Sequence, residues 1–405
     1  MANPARRKLF ELIVGIPSYN EADTISFVTQ QVDRGLQKYF SSFQTIIVNV
    51  DNNSQDNTKE AFLGTQTKIP KEYITTPKNV RGKGANLHNL FQFARQQGEF
   101  LKGVILVDAD LKSITPEWIR YLGEPILKGF DYTLPYYSRH QFDGTITNHI
   151  CYPLIYGLLN QNIRQPIGGE FALSARLVRH LLEQEWEETT RQYGIDIFMT
   201  LQAIFGHFKL CEAGLGSKVH KASAPKLGPM FTQVVRTLFD QLLIREPEWL
   251  PMPAKQPQTL KRFGLKKLCP PQELKIDIRD LKEKLRSEYY PRRDLLKKYL
   301  HDYTVSTIEG MFEEDNYHVD ILLWTQIVYQ LLYYYHNATP EERKEIIEAL
   351  KPLYFARSVT FNYQTWRYNV NYAEEAILEQ AKAFASQKPY LMGLHLNGVM
   401  EKILH

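Results

Sequence analysis

The stretch Gly103-Val104-Ile105-Leu106-Val107-Asp108-Ala109-Asp110 decides the fold of this chain. Its first five residues are apolar, as in a strand that is buried on both faces of a parallel sheet. Two carboxylates, Asp108 and Asp110, follow at the carboxyl end of that strand. Hard divalent cations such as Mg²⁺ and Mn²⁺ prefer oxygen ligands and often bridge a protein to nucleotide phosphates. The stretch therefore predicts a metal-dependent site for a nucleotide diphosphate at a sheet edge.

Strand and helix signals alternate around this stretch, over residues 11–111. Apolar and β-branched runs predict strands at Leu12–Ile16, Thr45–Val50, Tyr73–Thr76 and Val104–Val107. Apolar residues at helical spacing predict helices over 25–40, from about 56, and over 87–97, and Thr115-Pro116 is a helix start. This order predicts an α/β fold, a Rossmann-like and mainly parallel sheet with helices on both faces. Ligands of such sheets bind outside the carboxyl ends of the strands.

The second half of the chain has a different character. Pro247 to Pro271 is rich in proline and lysine and predicts a linker, whereas residues 272–405 have mainly helical patterns. Thr339-Pro340-Glu341-Glu342 has the residues of a capping box at a helix start. We therefore predict three consecutive parts: an α/β domain over 1–245, a linker over 246–271 and a mainly helical C-terminal domain over 272–405.

Composition excludes several classes of protein. The chain has 405 residues, of which 43% are hydrophobic and 23% charged, as is ordinary for a soluble globular protein. Its three cysteines are far apart, which predicts a reduced, cytoplasmic setting and no disulfide framework. The polar N-terminus does not resemble a signal peptide. The most apolar long stretch, Ile321 to Tyr335, is shorter than the roughly 20 residues of a membrane span and predicts a buried helix.

The positive charge is concentrated in one region. Residues 252–300 hold 14 lysines and arginines against 6 acidic residues. We interpret this region as a solvated helical surface. The alternative is a surface for an anionic partner such as nucleic acid.

Further polar motifs follow the predicted strands. Pro17-Ser-Tyr19-Asn-Glu21 ends the first strand, where Tyr19 can stack on a base, and Asp51 ends the second, where it can accept a hydrogen bond from a base or ribose or can cap a turn. Arg81-Gly-Lys83-Gly84 combines glycines with cations that suit phosphate, before a helix whose N-terminus favours an anion. It is not a P-loop, because the following Gly-Lys-Ser/Thr element is missing.

Four further sites add chemistry to these motifs. Gly168-Gly169-Glu170 allows a close backbone approach beside a carboxylate, or is a tight turn. Asp196 lies in an apolar context, where a carboxylate is costly to bury without partners. His220 follows a strand-like run. Arg139 and Asp143, four residues apart, are either an acceptor clamp or a surface ion pair.

In these segments the chain resembles glycosyltransferases of the GT-A fold, especially the mannosylglycerate synthase and glucosyl-3-phosphoglycerate synthase families. The resemblance is densest over residues 10–245. It rests on Arg81-Gly-Lys83-Gly84, Asp108-Ala-Asp110 with Pro116-Glu-Trp118, Gln165-Pro-Ile-Gly168-Gly169-Glu170, Gly194-Ile-Asp196 and His220. A weaker likeness lies at Arg357 to Tyr363.

The resemblance implies an enzyme that transfers a hexose from a nucleotide sugar to a small hydroxy acid with retention of configuration. It implies Mn²⁺ or Mg²⁺ as cofactor, with Asp110, His220 and Asp108 as ligands, and catalytic roles for Asp196, Glu170 and Asp110. It implies donor contacts at Pro17, Tyr19, Glu21, Asp51, Lys83, Asp108, Ala109 and Gly169, and acceptor contacts at Arg139, Asp143, Thr147 and Asp196. The helical region is expected to complete the acceptor site, form a homodimer interface, or both.

Three alternatives stay open from the sequence. An inverting enzyme of the same fold would use Asp196 as general base. A nucleotidyltransferase usually carries its basic glycine-rich loop directly after the first strand, where this chain has Pro17-Ser-Tyr-Asn-Glu21. A non-catalytic carbohydrate- or nucleic-acid-binding protein would rest on the basic region 252–300 and would show strongly salt-dependent binding. We expect no nucleic-acid partner.

Overall fold

The computed structural model describes residues 8–221, 227–274 and 276–404, with side chains to residue 396. The strands in this part of the chain are β1 Leu12–Ser18, β2 Thr45–Asp51, β3 Lys71–Thr75, β4 Gly103–Leu106, β5 Tyr132–Ser138, β6 Gln161–Asn162, β7 Phe171–Ser174, β8 Leu210–Ser217, β9 Gln258–Thr259 and β10 Arg262–Gly264. The first nine α-helices are α1 Ile25–Tyr39, α2 Thr58–Gly64, α3 Lys83–Arg95, α4 Pro116–Leu127, α5 Tyr152–Leu159, α6 Ala175–Glu183, α7 Ile195–Phe205, α8 Leu227–Ile244 and α9 Glu246–Trp249. The remaining helices are α10 Ile278–Tyr289, α11 Arg293–Tyr299, α12 Asp302–Glu313, α13 Ile321–Asn337, α14 Pro340–Thr365, α15 Val370–Ser386 and α16 Lys388–Leu404.

Eight of the strands form one sheet in the order β10-β8-β5-β7-β4-β1-β2-β3. Every neighbouring pair is parallel except those that involve β7, which runs antiparallel to β4 and β5. The central strands β1, β2 and β4 are buried at every residue, as their apolar runs require in a sheet covered on both faces. The predicted fold class, a mainly parallel α/β sheet followed by a helical region, is confirmed.

The contacts of the chain define two compact units. The sheet unit comprises Met1–Ser138, Ile167–Ser223 and Leu260–Cys269, and the helical unit comprises Arg139–Pro166, Ala224–Thr259 and Pro270–His405. The units interleave along the chain, whereas the sequence suggested consecutive parts with boundaries at residues 245 and 271. The difference arises partly because β10, inside the expected linker, pairs in parallel with β8 and extends the sheet.

The core of the sheet unit lies between the sheet and the helices α1 and α4. It is built from side chains of β1, α1, β4 and α4 that recur at the strand and helix periods read from the sequence, among them Val14, Ile16, Val28, Val32, Ile105, Trp118, Ile119 and Leu122. Helix α4 begins at Pro116 after the N-cap residue Thr115, as predicted, although the Thr115 side chain makes no cap hydrogen bond. This packing holds the carboxyl ends of β1 and β4 next to each other.

The helical unit is organised around α13, α14 and α15. Trp324 of α13 is fully buried and donates to the carbonyl of His149 at 2.8 Å. Arg357 of α14 is 1% exposed and donates from Nε to Gln380 Oε1 at 2.7 Å and from Nη1 to the Val319 carbonyl at 3.0 Å. None of the helices in the described ranges is long and apolar enough to cross a membrane.

Candidate active site at the carboxyl edge of the sheet

Asp108 lies directly after β4 and is the centre of a charged cluster. Its Oδ1 is 3.0 Å from Lys83 Nζ, and its Oδ2 is 3.7 Å from Lys218 Nζ. Burial opposes ionisation of this carboxyl, yet the two ammonium groups outweigh it and lower the pKa of Asp108 below its ordinary value. Asp108 therefore carries its negative charge throughout the physiological pH range.

Lys83, the first residue of α3, bridges two carboxylates. Its Nζ lies 3.0 Å from Asp108 Oδ1 and 3.2 Å from Asp196 Oδ1. Burial would lower the pKa of this ammonium, but Asp108 and Asp196 reverse the effect and raise the pKa above its ordinary value. Lys83 is thus a permanent cation, placed between the strand-end carboxylate and the first turn of α7.

Asp196, near the start of α7, has the partners that its apolar context requires. Its Oδ2 accepts the Gly169 N–H at 3.1 Å, while Oδ1 faces Lys83 and accepts no hydrogen bond. Burial raises the pKa of Asp196 above its ordinary value, although Lys83 counteracts part of that rise. The carboxylate combines a raised proton affinity with an oxygen, Oδ1, that contacts Lys83 as an ion pair rather than through a hydrogen bond.

Glu170 forms a buried ion pair with Lys218, a residue that the sequence reasoning missed. Lys218 Nζ lies 2.8 Å from Glu170 Oε2 and also donates to the Gly168 carbonyl at 2.7 Å. The Tyr137 hydroxyl donates a hydrogen bond to the same carboxylate. The Glu170 side chain is fully buried. Its influence on the cluster is therefore transmitted through its contacts with Lys218 and, beyond it, Asp108.

Gly169 fills a position that no other residue can occupy without strain. Its φ is +92°, and a Cβ there would lie 2.2 Å from Asp108 Oδ2 and 3.0 Å from Lys218 Nζ. A Cβ on Gly168 would meet the ring of Pro135 at 2.1 Å. The predicted close approach at Gly168-Gly169 therefore occurs, and it brings the backbone against the Asp108 carboxylate.

The glycines of Arg81-Gly-Lys83-Gly84 allow close contact with the protein's own backbone rather than the expected contact with a ligand. A Cβ on Gly82 would lie 2.3 Å from the Arg191 carbonyl oxygen, and one on Gly84 2.0 Å from the Thr190 carbonyl oxygen. The N–H groups of Gly84 and Ala85 donate to the carbonyls of Gln192 and Arg191 at 3.0 and 2.7 Å. These two N–H groups at the start of α3 therefore donate to the protein's own backbone. Phosphate binding by this motif would then depend on the Lys83 side chain.

Asp51, at the end of β2, is saturated by protein donors. Its carboxylate accepts from Ser18 Oγ at 2.7 Å, from Ser54 Oγ at 2.6 Å and N at 2.7 Å, and from the Tyr73 hydroxyl at 3.0 Å. The side chain is fully buried. These contacts correspond to the turn-capping alternative for Asp51. Both carboxylate oxygens already accept hydrogen bonds from the protein, so no free oxygen is left for the expected base or ribose.

The other expected donor-site residues surround the ends of β1 and β4. Tyr19 is 36% exposed and faces the Arg81 guanidinium, which lies 5.4 Å from its ring centre. Pro17 and Ala109 are buried. Glu21 lies 2.7 Å from Lys221, another cation that the sequence reasoning missed.

The candidate metal ligands Asp110 and His220 lie on segments joined by hydrogen bonds. The Lys112 N–H donates to the Val219 carbonyl at 2.8 Å, and the Val219 N–H donates to Ser113 Oγ at 2.9 Å. Among the described residues, Asp108, Asp110 and His220 do not form a group whose ligand atoms all lie within 4.8 Å of one another. Asp108 is held by lysines instead. A carboxylate and an imidazole are still a donor pair that suits Mn²⁺.

The expected acceptor residues Arg139, Asp143 and Thr147 belong to the helical unit. Arg139 Nε lies 3.1 Å from Asp143 Oδ2, and both side chains are largely buried. The predicted pairing therefore exists, although not as a surface ion pair. Thr147 is 2% exposed in a π-helical turn.

The positions of Lys218 and Lys221 could have been noticed in the sequence. Both flank His220 in Lys218-Val-His-Lys221, directly after β8. A polar segment at the end of a parallel strand is a place where ligands bind. Lysines are so common on protein surfaces that only burial against Glu170 distinguishes Lys218.

Comparison with protein families identifies a class of enzyme that part of this chain resembles. Residues 13–184 match the family model of glycosyl transferase family 2. The predicted likeness to glycosyltransferases is thereby confirmed, and this segment, with Lys83, Asp108 and Glu170, is the transferase domain of an enzyme. Asp196, Lys218 and His220 lie beyond the matched segment.

Solved structures of glucosyl-3-phosphoglycerate synthase from Mycobacterium tuberculosis are similar to this chain. One, in complex with Mn²⁺, uridine diphosphate and glucosyl-3-phosphoglycerate, is 22% identical, with a TM-score of 0.47 over 57% of this chain and 80% of that chain. Another, with Mg²⁺ and uridine diphosphate, is 22% identical, with a TM-score of 0.46 over 57% and 79%. A third, with Mn²⁺, UDP-glucose and phosphoglyceric acid, is 21% identical, with a TM-score of 0.45 over 57% and 79%. No curated protein gives a significant match.

Proposed function

We propose that this chain is a metal-dependent, retaining glycosyltransferase. It moves a hexose from a nucleoside diphosphate sugar, such as GDP-mannose or a GDP- or UDP-glucose, to a small hydroxy acid such as D-glycerate or 3-phosphoglycerate. The observation that carries the proposal is the Asp108–Lys83–Asp196 cluster at the carboxyl edge of the sheet. It joins a strand-end carboxylate and a permanent cation, both inside the segment that matches the transferase family, to a second carboxylate beyond that segment.

Each group of the cluster has a role in the proposed reaction. The Lys83 ammonium binds oxygens of the donor diphosphate, since its charge persists in the buried site. Asp110 and His220 would hold a divalent cation, which when bound neutralises negative charge on the departing diphosphate. Glu170 and Lys218 position Asp108 and Gly169 rather than contact the sugar.

The transfer itself needs no protein nucleophile in this proposal. The acceptor hydroxyl oxygen bonds to the anomeric carbon while the bond from that carbon to the phosphate oxygen breaks. The hydroxyl proton passes to the departing phosphate oxygen on the same face of the sugar, which retains the configuration. Asp196 accepts a hydrogen bond from an acceptor hydroxyl through its Oδ1, and Arg139 binds the acceptor carboxylate, with Asp143 and Thr147 supporting it.

The test is a panel of GDP- and UDP-sugars with D-glycerate or 3-phosphoglycerate, in the presence of Mn²⁺, Mg²⁺ or a chelator. We expect a glycosylated acid only with a metal, with its anomeric configuration retained by NMR. Asp110→Asn should abolish metal-dependent turnover, whereas Glu99→Gln, which changes a carboxylate that is 94% exposed, should leave it unchanged. Full turnover in Asp110→Asn, or no thermal shift with any nucleotide sugar, would contradict the proposal.

A second candidate is an inverting transferase with Asp196 as general base. The observation that favours it is the raised pKa of Asp196 together with the oxygen that accepts no hydrogen bond. As a base, Asp196 must be ionised, so kcat/KM should fall as the pH decreases through its raised pKa. Asp196→Asn should abolish turnover. An inverted product in the NMR assay would select this candidate.

We further propose that the enzyme is a cytoplasmic homodimer. The unpaired state of Cys151, Cys211 and Cys269 supports a reduced environment. Analytical ultracentrifugation tests the dimer, and a monomer at micromolar concentration would contradict it.

A further inference from the structure

Two histidines and a glutamate converge in the helical unit. Glu246 is the first residue of α9, His336 is in the last turn of α13, and His395 is in α16. Their ligand atoms all lie within 4.8 Å of one another. Among the described side chains, this is the one group of three histidine, cysteine or acidic residues whose ligand atoms come so close together. Residues so far apart in sequence meet here although none of them belongs to the proposed active site.

The two oxygens of the Glu246 carboxylate lie near different imidazoles. Its Oε2 lies 2.7 Å from His336 Nδ1, and its Oε1 lies 3.7 Å from His395 Nδ1. The two rings are 5.4 Å apart between centroids and nearly perpendicular, at 80°. Both imidazoles therefore direct the same type of nitrogen toward one small volume beside the carboxylate.

From this geometry we infer that Glu246, His336 and His395 bind a zinc ion. Zinc is bound at about 2.0–2.2 Å by imidazole nitrogen and carboxylate oxygen, and two ligands of a tetrahedral ion then lie about 3.3 Å apart. The observed separations of 2.7 and 3.7 Å lie on either side of that distance, so small side-chain rotations suffice. Two histidines with one carboxylate are a known zinc donor set and leave a fourth position for water.

The donor set also selects against the cations proposed for the transferase reaction. Mg²⁺ prefers oxygen ligands, and Mn²⁺ binds nitrogen sites more weakly than Zn²⁺ does. A hydrogen-bonded His–Glu pair would require only one histidine, whereas here a second ring faces the other carboxylate oxygen. Bound zinc would join α9, α13 and α16 and stabilise the helical unit by mass action.

The test measures zinc in the whole chain with the proposed catalytic site removed. After chelation and reloading, the Asp110→Asn variant should retain one equivalent of Zn²⁺ by equilibrium dialysis and elemental analysis. It should also give the visible absorption of a tetrahedral Co²⁺ site. Both signals should be lost when His336→Gln or His395→Gln is added. They should be unchanged when His301→Gln, at an exposed histidine before α12, is added instead.

Two outcomes overturn the inference. One is no bound Zn²⁺ in the Asp110→Asn chain, and the other is equal Zn²⁺ binding in the His336→Gln background. Far-UV circular dichroism shows whether each variant is folded. Glu246→Gln, which keeps the shape of the side chain, provides a second route if a histidine variant fails to fold, and it should also release the zinc.

Discussion

At the scale of single residues, Gly169 determines how closely backbone can approach the strand-end carboxylate. Its positive φ and the 2.2 Å that would separate a Cβ from Asp108 Oδ2 are two independent obstacles to a side chain. Any substitution must displace either Asp108 or the loop that donates the Gly169 N–H to Asp196. The small residue therefore couples two carboxylates of the candidate site.

We predict that Gly169→Ala lowers both stability and activity. Strain at positive φ alone costs about 1 kcal/mol or more, and displacement of Asp108 adds a loss of turnover. The matched control is Gly129→Ala, because Gly129 has φ +82° with no atom within 4 Å of a Cβ. Urea unfolding and turnover assays measure both variants, and equal turnover in the two would contradict the role of the contact.

The buried pair of Lys218 and Glu170 makes a second prediction at this scale. Lys218→Met leaves a carboxylate buried without its cation and should lower the free energy of unfolding by about 3 to 5 kcal/mol. Adding Glu170→Gln removes that charge, so the double variant should be more stable than Lys218→Met alone. Urea denaturation of the four proteins in the cycle measures the coupling, and strictly additive losses would show that the ion pair is unimportant.

The candidate site was only partly predictable from its residues. Asp108, Lys83 and Asp196 could be expected because a strand end, a glycine-rich basic motif and an apolar context mark them in turn. The partners of Asp51 and the burial of Lys218 could not, because both depend on segments distant in sequence, such as β3 and the loop before β7. Sequence spacing does not reveal which cation pairs with which carboxylate in the folded protein.

At the scale of elements, the strands were the most predictable part. β1, β2 and β4 begin and end within a few residues of their expected positions, because an uninterrupted apolar run has few alternatives in a buried sheet. β10 was not predicted, since its three residues Arg262-Phe-Gly264 have no strand pattern of their own. It becomes a strand only because the edge of β8 offers hydrogen-bonding partners.

The start of α14 makes a prediction for a single element. Thr339 and Glu342 form the predicted capping box, with the Glu342 N–H donating to Thr339 Oγ1 at 3.3 Å and the Thr339 N–H to Glu342 Oε2 at 3.0 Å. Thr339→Ala should therefore cost about 1 kcal/mol in chemical denaturation, whereas Thr339→Ser should cost much less. Equal losses in the two variants would mean that the cap hydroxyl is not what stabilises the helix.

At the scale of the whole molecule, many cations of the basic region 252–300 are paired with acidic residues. Within the helical unit its cations pair with acidic residues, as in Arg286 with Asp315, Arg293 and Lys297 with Glu309, Arg292 with Glu348, and Lys298 with Glu345. These contacts favour the solvated helical surface over an anion-binding one. Composition alone could not show this, because several of the acidic partners lie beyond residue 300.

We accordingly predict no strongly salt-dependent binding to RNA or DNA. Fluorescence anisotropy with labelled oligonucleotides at low and physiological salt measures this. The Glu309→Gln/Asp315→Asn variant removes two of the acidic partners and should bind more tightly at low salt than the unmodified chain. Tight binding by the unmodified chain, with a steep dependence on salt, would contradict the prediction.

The interleaving of the two units has a consequence for how this chain can be divided. The backbone passes from one unit to the other at five points, and the last return, Leu260–Cys269, delivers β10 to the sheet. A protein cut at residue 245 would leave Glu212 N–H and the Gly214 carbonyl of β8 without their partners on Lys261 and Leu265, at an open edge prone to self-association. We therefore expect that the sheet unit cannot be expressed or exchanged alone by cutting the chain at residue 245.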